Sequence, residues 1–412
     1  MIRTLKGPSY SGSGEEGQVA VISILLLLMF AAYGIVSFVN IADESSSVAY
    51  GLRAREAIYA AETGLEYALV EIRAGVPNAG NISGLMVGGT TVNVTNSGNT
   101  LLTSVATTQD PALTRSISLS INVVQIPREF AYALYVKDET TLTLNEKADI
   151  DGRILFDGLS LTLGSKLSLI NNYTYVPQTA TITNSTGDWI TRVDYPTQGS
   201  PPDAFPVIVT DYYDDYVNNV LGYESVGDTI TDPTEFKKVV LSDYTDNVLY
   251  RVGNLKLKDQ ITGPGIICAT GNIELNNKKK KNVGPDVQII AGGDIKLKKM
   301  NVYSGTPKGS ILFSHGNITL ESEAKVEGSV VSMGNLEIKK KKVTIDGACI
   351  VYGSVTLGDD YVINGSLMTS QMSNFTKGSI LFTADNLTDL SIPGLQSQGT
   401  SIEVDKLSWR EN

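Results

Sequence analysis

The chain has 412 residues, 42% of them hydrophobic and 19% charged, so it can bury a sizeable core. A net charge of −11 argues against general nucleic-acid binding. Cys268 and Cys349 are too few for a disulfide framework, and one histidine, His315, cannot serve a multi-histidine metal site. No serine or cysteine has a recognisable base partner. We therefore expect a protein that is not an enzyme and has no metal, cofactor or nucleic-acid partner.

The N-terminal region joins a short polar segment to a long apolar one. Residues 1–17 are rich in Gly and Ser, and residues 18–42 are twenty-five positions without a charge. At about 1.5 Å per helical residue, the uncharged run spans roughly 37 Å, enough to cross a bilayer core of about 30 Å. No proline occurs between Pro8 and Pro77. The sequence therefore predicts a single long helix over residues 18–75, transmembrane in its first half.

The second half of this predicted helix is amphipathic. Apolar residues recur at helical spacing, while Glu56, Glu62 and Glu66 fall off that line. The apolar positions are Ile58, Leu65, Leu69 and Ile72. An apolar half that continues into an amphipathic half suits a subunit stored in a membrane and then packed into a fibre.

Two motifs in this region resemble the PilX-type minor pilins and type IV pilus-assembly proteins. The first is the junction Gly17-Gln18-Val-Ala-Val, and the second is REAIYAAETGLEYAL, which begins at Arg55. The positions that match the family signature are Arg55, Tyr59, Ala60, Ala61, Glu62, Gly64, Leu65 and Glu66. The resemblance covers about residues 10–75. It implies cleavage after Gly17 by a prepilin-type peptidase and packing with other pilin-like subunits and the pilus-assembly machinery.

Two departures from the family pattern refine this hypothesis. Ile22 is the fifth residue after the expected cut, where major pilins carry a glutamate that pairs with a neighbouring subunit. A minor or initiating role is therefore favoured over a bulk subunit. Glu15 and Glu16 precede Gly17, whereas such leaders are usually basic. The alternative is an uncleaved single-pass anchor; in both cases the body is expected outside the cytoplasm, at the membrane or on a pilus.

Beyond residue 75 the composition favours strands. Residues 76–127 alternate with period two in TTVNVT and SISLSINVV, which predicts a β-rich linker or collar. A glycine followed by an apolar-polar-apolar triplet then recurs at intervals of 18, 22, 23, 18 and 19 residues. These turn glycines are Gly253, Gly271, Gly293, Gly316, Gly334 and Gly353. Glycine is expected to supply the bend between strands, and a following Asn or Asp to tolerate left-handed backbone. Because one such repeat cannot bury its own apolar face, the period predicts a parallel β-helix over residues 251–384.

The repeats extend upstream, since GRILF at Gly152 parallels GSILF at Gly309 and Gly378. We expect the first coils of the β-helix in residues 128–170, then an excursion or side lobe at 171–250, where Pro196–Pro206 would break any regular element. Residues 385–412 read as a tail that is irregular after Pro393 except for a possible strand at Ser401 to Val404. The predicted fold class is α+β, mostly β, with a long N-terminal helix and a β-helix solenoid. The strand pattern also predicts one inward apolar stack formed by Ile267, Ile290, Leu312, Val331 and Ile350.

Lysines follow three of the apolar triplets and would stack into a basic stripe at about 4.8 Å per coil, partly neutralised by Glu321 and Glu323 in an intervening coil. The main candidates are Lys278, Lys279, Lys280, Lys281, Lys339, Lys340, Lys341 and Lys342, with Lys298 and Lys299 between them. A stripe of this kind would attract an anionic glycan or another anionic surface ligand. The alternative is a solvated turn whose lysines discourage edge pairing. Asp211, Asp214 and Asp215 match no calcium loop and are expected on a solvated surface.

These features together favour a non-enzymatic, PilX-like minor pilin or pilus-assembly protein that displays a β-helix for surface contact or adhesion. One rival is a membrane-anchored β-helix that binds or degrades polysaccharide. A second rival is a self-associating structural solenoid resembling the bactofilins. The transmembrane helix counts against a purely cytoskeletal role.

The leader hypothesis predicts that the mature chain begins at Gln18. Replacing Gly17 with Leu should leave a precursor that is heavier by the mass of residues 1–17, which mass spectrometry of the surface-exposed protein measures. An intact Met1 on the wild-type surface protein would show that the chain is an uncleaved anchor.

Overall fold

The computed structural model describes residues 15–73, 80–98, 100–109, 112–226, 234–305, 309–339, 342–388, 390–396 and 400–411. The helices are α1 (Glu15–Arg73) and α2 (Asp211–Val217), with single 3₁₀ turns at Arg128–Phe130, Leu241–Asp243, Thr245–Asn247 and Ala384–Asn386. The strands up to the short helix are β1 (Ile82–Val87), β2 (Thr90–Ser97), β3 (Leu101–Thr107), β4 (Thr114–Pro127), β5 (Leu134–Val136), β6 (Thr141–Leu144), β7 (Ala148–Asp151), β8 (Ile154–Phe156), β9 (Ser160–Leu163), β10 (Ser168–Ile170), β11 (Tyr173–Pro177), β12 (Thr181–Asn184) and β13 (Thr191–Tyr195). The later strands are β14 (Thr234–Phe236), β15 (Val239–Val240), β16 (Val248–Arg251), β17 (Leu255–Leu257), β18 (Ile261–Thr262), β19 (Gly265–Ala269), β20 (Ile273–Gly284), β21 (Val287–Ala291), β22 (Ile295–Val302), β23 (Ile311–Ser314), β24 (Ile318–Glu321), β25 (Lys325–Glu327), β26 (Ser329–Ser332), β27 (Leu336–Lys339), β28 (Val343–Leu357), β29 (Tyr361–Phe375), β30 (Gly378–Leu381) and β31 (Thr400–Glu411).

The chain forms two compact units, and the first holds α1 and a five-stranded sheet. This unit takes in the chain up to Asn122 and again from Val404. Its strands lie in the order β1-β2-β3-β4-β31, and the first four pair antiparallel with their sequence neighbours. The tail predicted at residues 385–412 needs correction in extent, since the possible strand at Ser401 to Val404 is part of the twelve-residue strand β31, which belongs to this sheet. The second unit is thus inserted in the sequence between β4 and β31.

The second unit, residues 123–403, is a parallel β-solenoid of about 12 turns, which confirms the predicted fold class. One coil consists of β23, β24 and β25, and the next coil repeats it with β26, β27 and the start of β28. Each strand pairs in parallel with its equivalent in the neighbouring coil. Leu312, for example, lies between Ile289 and Val330. The short strands are stable because every apolar face is covered by a neighbour on each side.

The coils do not stack in the order in which the chain makes them. β29 pairs with β5, and β30 pairs with β7, so the first coils in the sequence lie beyond the last ones. β8 and then β11 and β13 continue the stack from β5. At the opposite end, β14, β15 and β16 pair with the coil of β17, β18 and β19. The predicted excursion at 171–250 is therefore wrong at both of its ends, which are solenoid coils.

The part that does leave the coils is a strap, residues 196–226, which returns the chain from one end of the stack to the other. It crosses one face of the solenoid, where the ring of Phe205 packs on Tyr135 and the α2 residue Tyr213 stacks on Phe313 at 3.5 Å between ring centroids. Seven coil steps separate Tyr135 from Tyr250, about 34 Å at 4.8 Å per step. A strap of this length is needed because the two ends of the stack are far apart.

The strap explains why three of the five residues predicted to point inward do not do so. Ile267 and Leu312 do point into the solenoid, with Ile289 and Val330 in the same core. Ile290, Val331 and Ile350 point the other way, into a second apolar cluster under the strap. These strands are apolar on both faces, so alternation could not fix their direction. A shift of one residue moves a side chain from the core to the strap.

The inner core gives a direct stability prediction. Leu312→Asp places an unpaired carboxylate among Ile289, Val330 and other fully buried residues, and should cost about 3 kcal/mol or more. Circular-dichroism melting of the full-length protein measures this loss. Thr344→Asp is the matched control, since Thr344 points outward beside Lys325 in the next coil and should melt like the wild type. Equal melting temperatures for the two variants would contradict the inward position of Leu312.

Candidate assembly helix and stacked turns

The second half of α1 lies on the sheet through one narrow face. Its buried residues recur at three- and four-residue spacing, and most of them are small. They are Ala57, Ala60, Ala61, Gly64, Leu65, Ala68, Leu69 and Ile72. The sheet supplies Val92, Val94 and Leu102 on its facing side, all buried. Small helix residues let the backbone of α1 approach this sheet closely.

Gly64 marks the point of closest approach. A Cβ atom there would lie 2.5 Å from Val92 Cγ1, 2.9 Å from Ser104 Oγ and 3.2 Å from Val94 Cγ2. Real Cβ atoms do not come so close to their neighbours, so only glycine fits without moving the sheet. The Ala-Ala-Glu-Thr-Gly-Leu sequence is therefore explained by helix-on-sheet packing.

The other signature residues lie on the opposite side of α1. Arg55, Tyr59 and Glu66 are exposed, and Glu62 is half-buried. Tyr67, which sequence reasoning did not single out, has an exposed fraction of 52%, and Tyr59, eight residues earlier, has one of 65%. This side of α1 therefore exposes aromatic and charged groups, Tyr59 and Arg55 among them.

The first half of α1 exposes its large apolar side chains from Ile22 to Ile41. Leu27 and Phe30 are each more than 70% exposed, and α1 is long and apolar enough to cross a membrane. Its 59 residues span about 88 Å at 1.5 Å per residue. The helix begins at Glu15, three residues before the predicted start at residue 18. Gly17 and Gln18 belong to its first turns, with side chains outside the described set. Cleavage between them stays a prediction.

The six predicted turn glycines stack into a ladder of their own. Each backbone N–H from Gly271 onward donates to the carbonyl oxygen of the equivalent glycine in the preceding coil, at 2.9–3.2 Å. The residue after each glycine adds a second ladder. Asn272 Oδ1 accepts from the N–H of Asp294 at 2.7 Å, and Asn335 Oδ1 accepts from the N–H of Ser354 at 2.7 Å.

This ladder corrects the reason for the glycines. We expected glycine and asparagine to supply bent or left-handed backbone, but among the six only Gly253 has a φ in that region, +95°. A Cβ at Gly293 would instead collide with Asn272 Oδ1, and one at Gly316 with Asp294 Oδ1. Glycine is required because the amide or carboxylate oxygen of the preceding coil occupies the Cβ space.

The predicted basic stripe is only partly described, and the described lysines have acidic neighbours. Lys281 Nζ lies 3.0 Å from Asp259, whose carboxyl pKa is lowered by the hydrogen bond from this lysine. Lys339 Nζ lies 2.7 Å from Glu337, and this contact raises the lysine pKa. Lys342 is exposed in left-handed backbone with a φ of +65°. Lys281 and Lys339 are therefore each paired with a carboxylate. They do not share one column, since Lys281 is in register with Met300 and Lys339 with Glu321 and Lys298.

The remaining lysines of the stripe carry no structural argument. Lys278, Lys279 and Lys280 lie in β20 with side chains outside the described set, and Lys340 and Lys341 lie outside the described residues. Attraction to an anionic glycan stays a prediction.

His315 and the acidic strap residues meet, which sequence reasoning missed. His315 Nε2 lies 2.9 Å from Asp214 Oδ1 on α2, and its ring contacts Phe313 edge-on at 5.1 Å. Asp214 also accepts from the hydroxyl of Thr210 at 2.7 Å, close to the start of α2. No sequence motif links residues a hundred positions apart, so only the path of the strap reveals this pair. It fastens the strap to the coils.

Both cysteines are buried and free. Cys268 lies under the strap and Cys349 in the inner core, four coils apart along the stack. Burial raises the pKa of the Cys268 thiol to about 12, so it stays protonated at neutral pH. Both cysteines therefore act as small apolar side chains.

Comparison with solved structures finds a pilin that aligns over most of this chain at a low TM-score. The chain is similar to the crystal structure of the competence-associated pilin ComZ from Thermus thermophilus, with 13% sequence identity and a TM-score of 0.30. The match covers 87% of this chain and 97% of that chain. No protein-family model matches, and no curated protein matches in sequence. The proposal below therefore rests on α1, its sheet and the solenoid themselves.

The close contact at Gly64 predicts a sharp difference between two glycine positions of α1. Gly64→Val should destabilise the helix–sheet unit by about 2 kcal/mol, because the new side chain forces Val92 and Ser104 apart. Gly51→Val is the control: it adds the same side chain to the same helix at a position where a Cβ atom meets open space. Hydrogen exchange of the β2 and β3 amides measures the difference. Equal protection in both variants would show that Gly64 is not a contact point.

Proposed function

We propose that this protein is a non-enzymatic, pilin-like surface subunit of the PilX minor-pilin kind. The first half of α1 holds it in the membrane and then packs among other pilin-like subunits. The second half of α1 carries the sheet, and the inserted solenoid is displayed for surface contact. The single observation that carries this proposal is α1: one unbroken helix, exposed and apolar at one end and seated on an antiparallel sheet through Ala and Gly at the other.

The structure of α1 supports an assembly role over a simple anchor. A bilayer core of about 30 Å needs only about 20 helical residues, whereas α1 has 59. The exposed apolar residues continue to Tyr50 and Leu52, beyond the uncharged run. A simple anchor has no need of this extra length, but helix packing in a fibre uses it. Tyr59 and Tyr67 offer further contacts on the side away from the sheet.

The solenoid supports a role in contact. Its rungs are rigidly stacked, with an apolar core along its length and polar ladders at the turns. A stacked body of this kind presents repeated surface groups at a fixed spacing of about 4.8 Å. Repeated groups favour extended ligands, because many weak contacts then add along one chain.

The membrane part of this proposal predicts the outcome of adding charges. Leu27→Lys with Phe30→Lys should remove the protein from the membrane fraction and from sheared pili. A lysine near the centre of a membrane helix costs about 3 kcal/mol, and both positions are now apolar and exposed. Immunoblots of membrane, soluble and sheared-fibre fractions measure this. Ser46→Lys, an exposed change beyond the uncharged run, is the control and should fractionate like the wild type.

Two results would overturn the proposal in different ways. Wild-type protein in the soluble fraction alone would remove the membrane role. Wild-type protein in the membrane but never in sheared fibres, nor cross-linked to another pilin-like subunit, would reduce it to an anchor. Release of reducing or unsaturated sugars from a polysaccharide would favour the enzymatic rival instead.

A further inference from the structure

A column of outward side chains runs along the strands that follow the stacked turns. By strand register its members are Lys256, Glu274, Lys296, Thr319, Glu337 and Thr356. In the first coils, long charged side chains fill the surface: Lys256 Nζ lies 3.1 Å from Glu274, and Lys296 Nζ lies 3.4 Å from Glu321. At Thr319 and Thr356 the side chains are short. The short side chains therefore leave a depression in the surface at these two coils.

A groove of about 370 Å³ lies where the charged column is interrupted. Its lining includes Asn317, Thr319, Asn335, Glu337, Ser354 and Thr356. Asn335 comes from the stacked turns, and Thr319 and Thr356 come from the strands that follow, so the groove runs along the stack and across several coils. Nothing in the proposed membrane or assembly role uses it.

The groove contains polar groups that the fold does not consume. Asn335 Oδ1 accepts from the Ser354 N–H, but its Nδ2 has no hydrogen-bond partner among the described residues. The hydroxyls of Thr319 and Thr356 likewise have none within the described part of the chain, and both are half-buried. Three donors therefore face the groove at successive steps of about 4.8 Å. A ligand with hydroxyl groups at a similar repeat would satisfy them together.

The charges of the groove select against an acidic ligand. Asp294 and Glu337 both line it, and no lysine or arginine is among the described residues of the lining. Glu337 is paired with Lys339 Nζ at 2.7 Å, and Asp294 Oδ1 accepts from the N–H and the side-chain nitrogen of Asn317 at 2.7 and 3.1 Å. The two carboxylates, with no basic residue in the described lining, disfavour an anionic chain and can accept hydrogen bonds from hydroxyls. Among the described residues that line the groove, Leu336 alone is apolar, so apolar peptide side chains would bury little surface there.

We propose that this groove binds an uncharged, unbranched polysaccharide, with successive sugar residues lying along successive coils. Thr319, Asn335 and Thr356 bind the sugar hydroxyls as donors, and Glu337 accepts from them. The proposal deepens the surface-contact role proposed above by naming its ligand class, and it differs from the anionic ligand expected for the lysines. Affinity at one groove is modest, and many copies on one surface raise it by avidity.

The test uses the full-length protein in detergent with hexasaccharide probes. Cellohexaose and mannohexaose are the neutral probes, and hexagalacturonate is the anionic one, each titrated by calorimetry. We expect saturable binding of a neutral probe and about tenfold weaker binding, or none, of hexagalacturonate. The double variant Thr319→Lys, Thr356→Glu extends the charged column through the groove and should weaken the neutral probe by about tenfold or more.

The matched control changes the same residue type on strands of another sheet of the solenoid. Thr143→Lys with Thr162→Glu alters neighbouring strands β6 and β9, outside the groove, and should leave affinity unchanged. Equal loss in both double variants, preferred binding of hexagalacturonate, or binding of neither neutral probe would each overturn the proposal. Because purified protein is used, these results are independent of fractionation into membranes and fibres. A failed titration therefore leaves the pilin-like role standing.

Discussion

The solenoid depends on one constraint: equivalent residues in successive coils must repeat at the spacing of hydrogen-bonded strands, about 4.8 Å. The turns show how strictly this is met. Each coil donates a glycine N–H to the coil before it and gives an Asn or Asp side-chain oxygen to the coil after it. That oxygen occupies the place of a Cβ, so the next residue in the stack must be glycine. The sequence motif and the stacking are thus one geometric requirement.

The sequence predicted the parts of the fold that have a period. The glycine repeats revealed the solenoid, and the 3.6-residue pattern from Ile58 to Ile72 revealed the helix. The direction of the double-apolar strands was not predictable, since Ile289 and Ile290 are both apolar and only the strap decides which faces inward. Nor was the stacking order, because β5 and β29 pair through contacts that leave no local pattern.

The candidate sites divide in the same way. Ala60, Ala61 and Gly64 stood out as a motif, and their packing on Val92 and Ser104 gives them a physical reason. The groove did not stand out, because Thr319 and Thr356 are ordinary strand residues in sequence. It becomes visible only when strand register places them in one column with Lys256, Glu274 and Lys296. The pairing of His315 with Asp214 was hidden for a similar reason, since the strap brings it about.

The stacking order also has a consequence for the time at which the body can be completed during synthesis. Met372 bonds to Glu139 and Ser366 to Tyr132, across 233 and 234 residues of chain. The coils made first therefore wait, with an open strand edge, until most of the chain has emerged. Contacts of such long range slow folding, and an open edge invites mispairing. A helper that shields this strand edge would matter most in that interval.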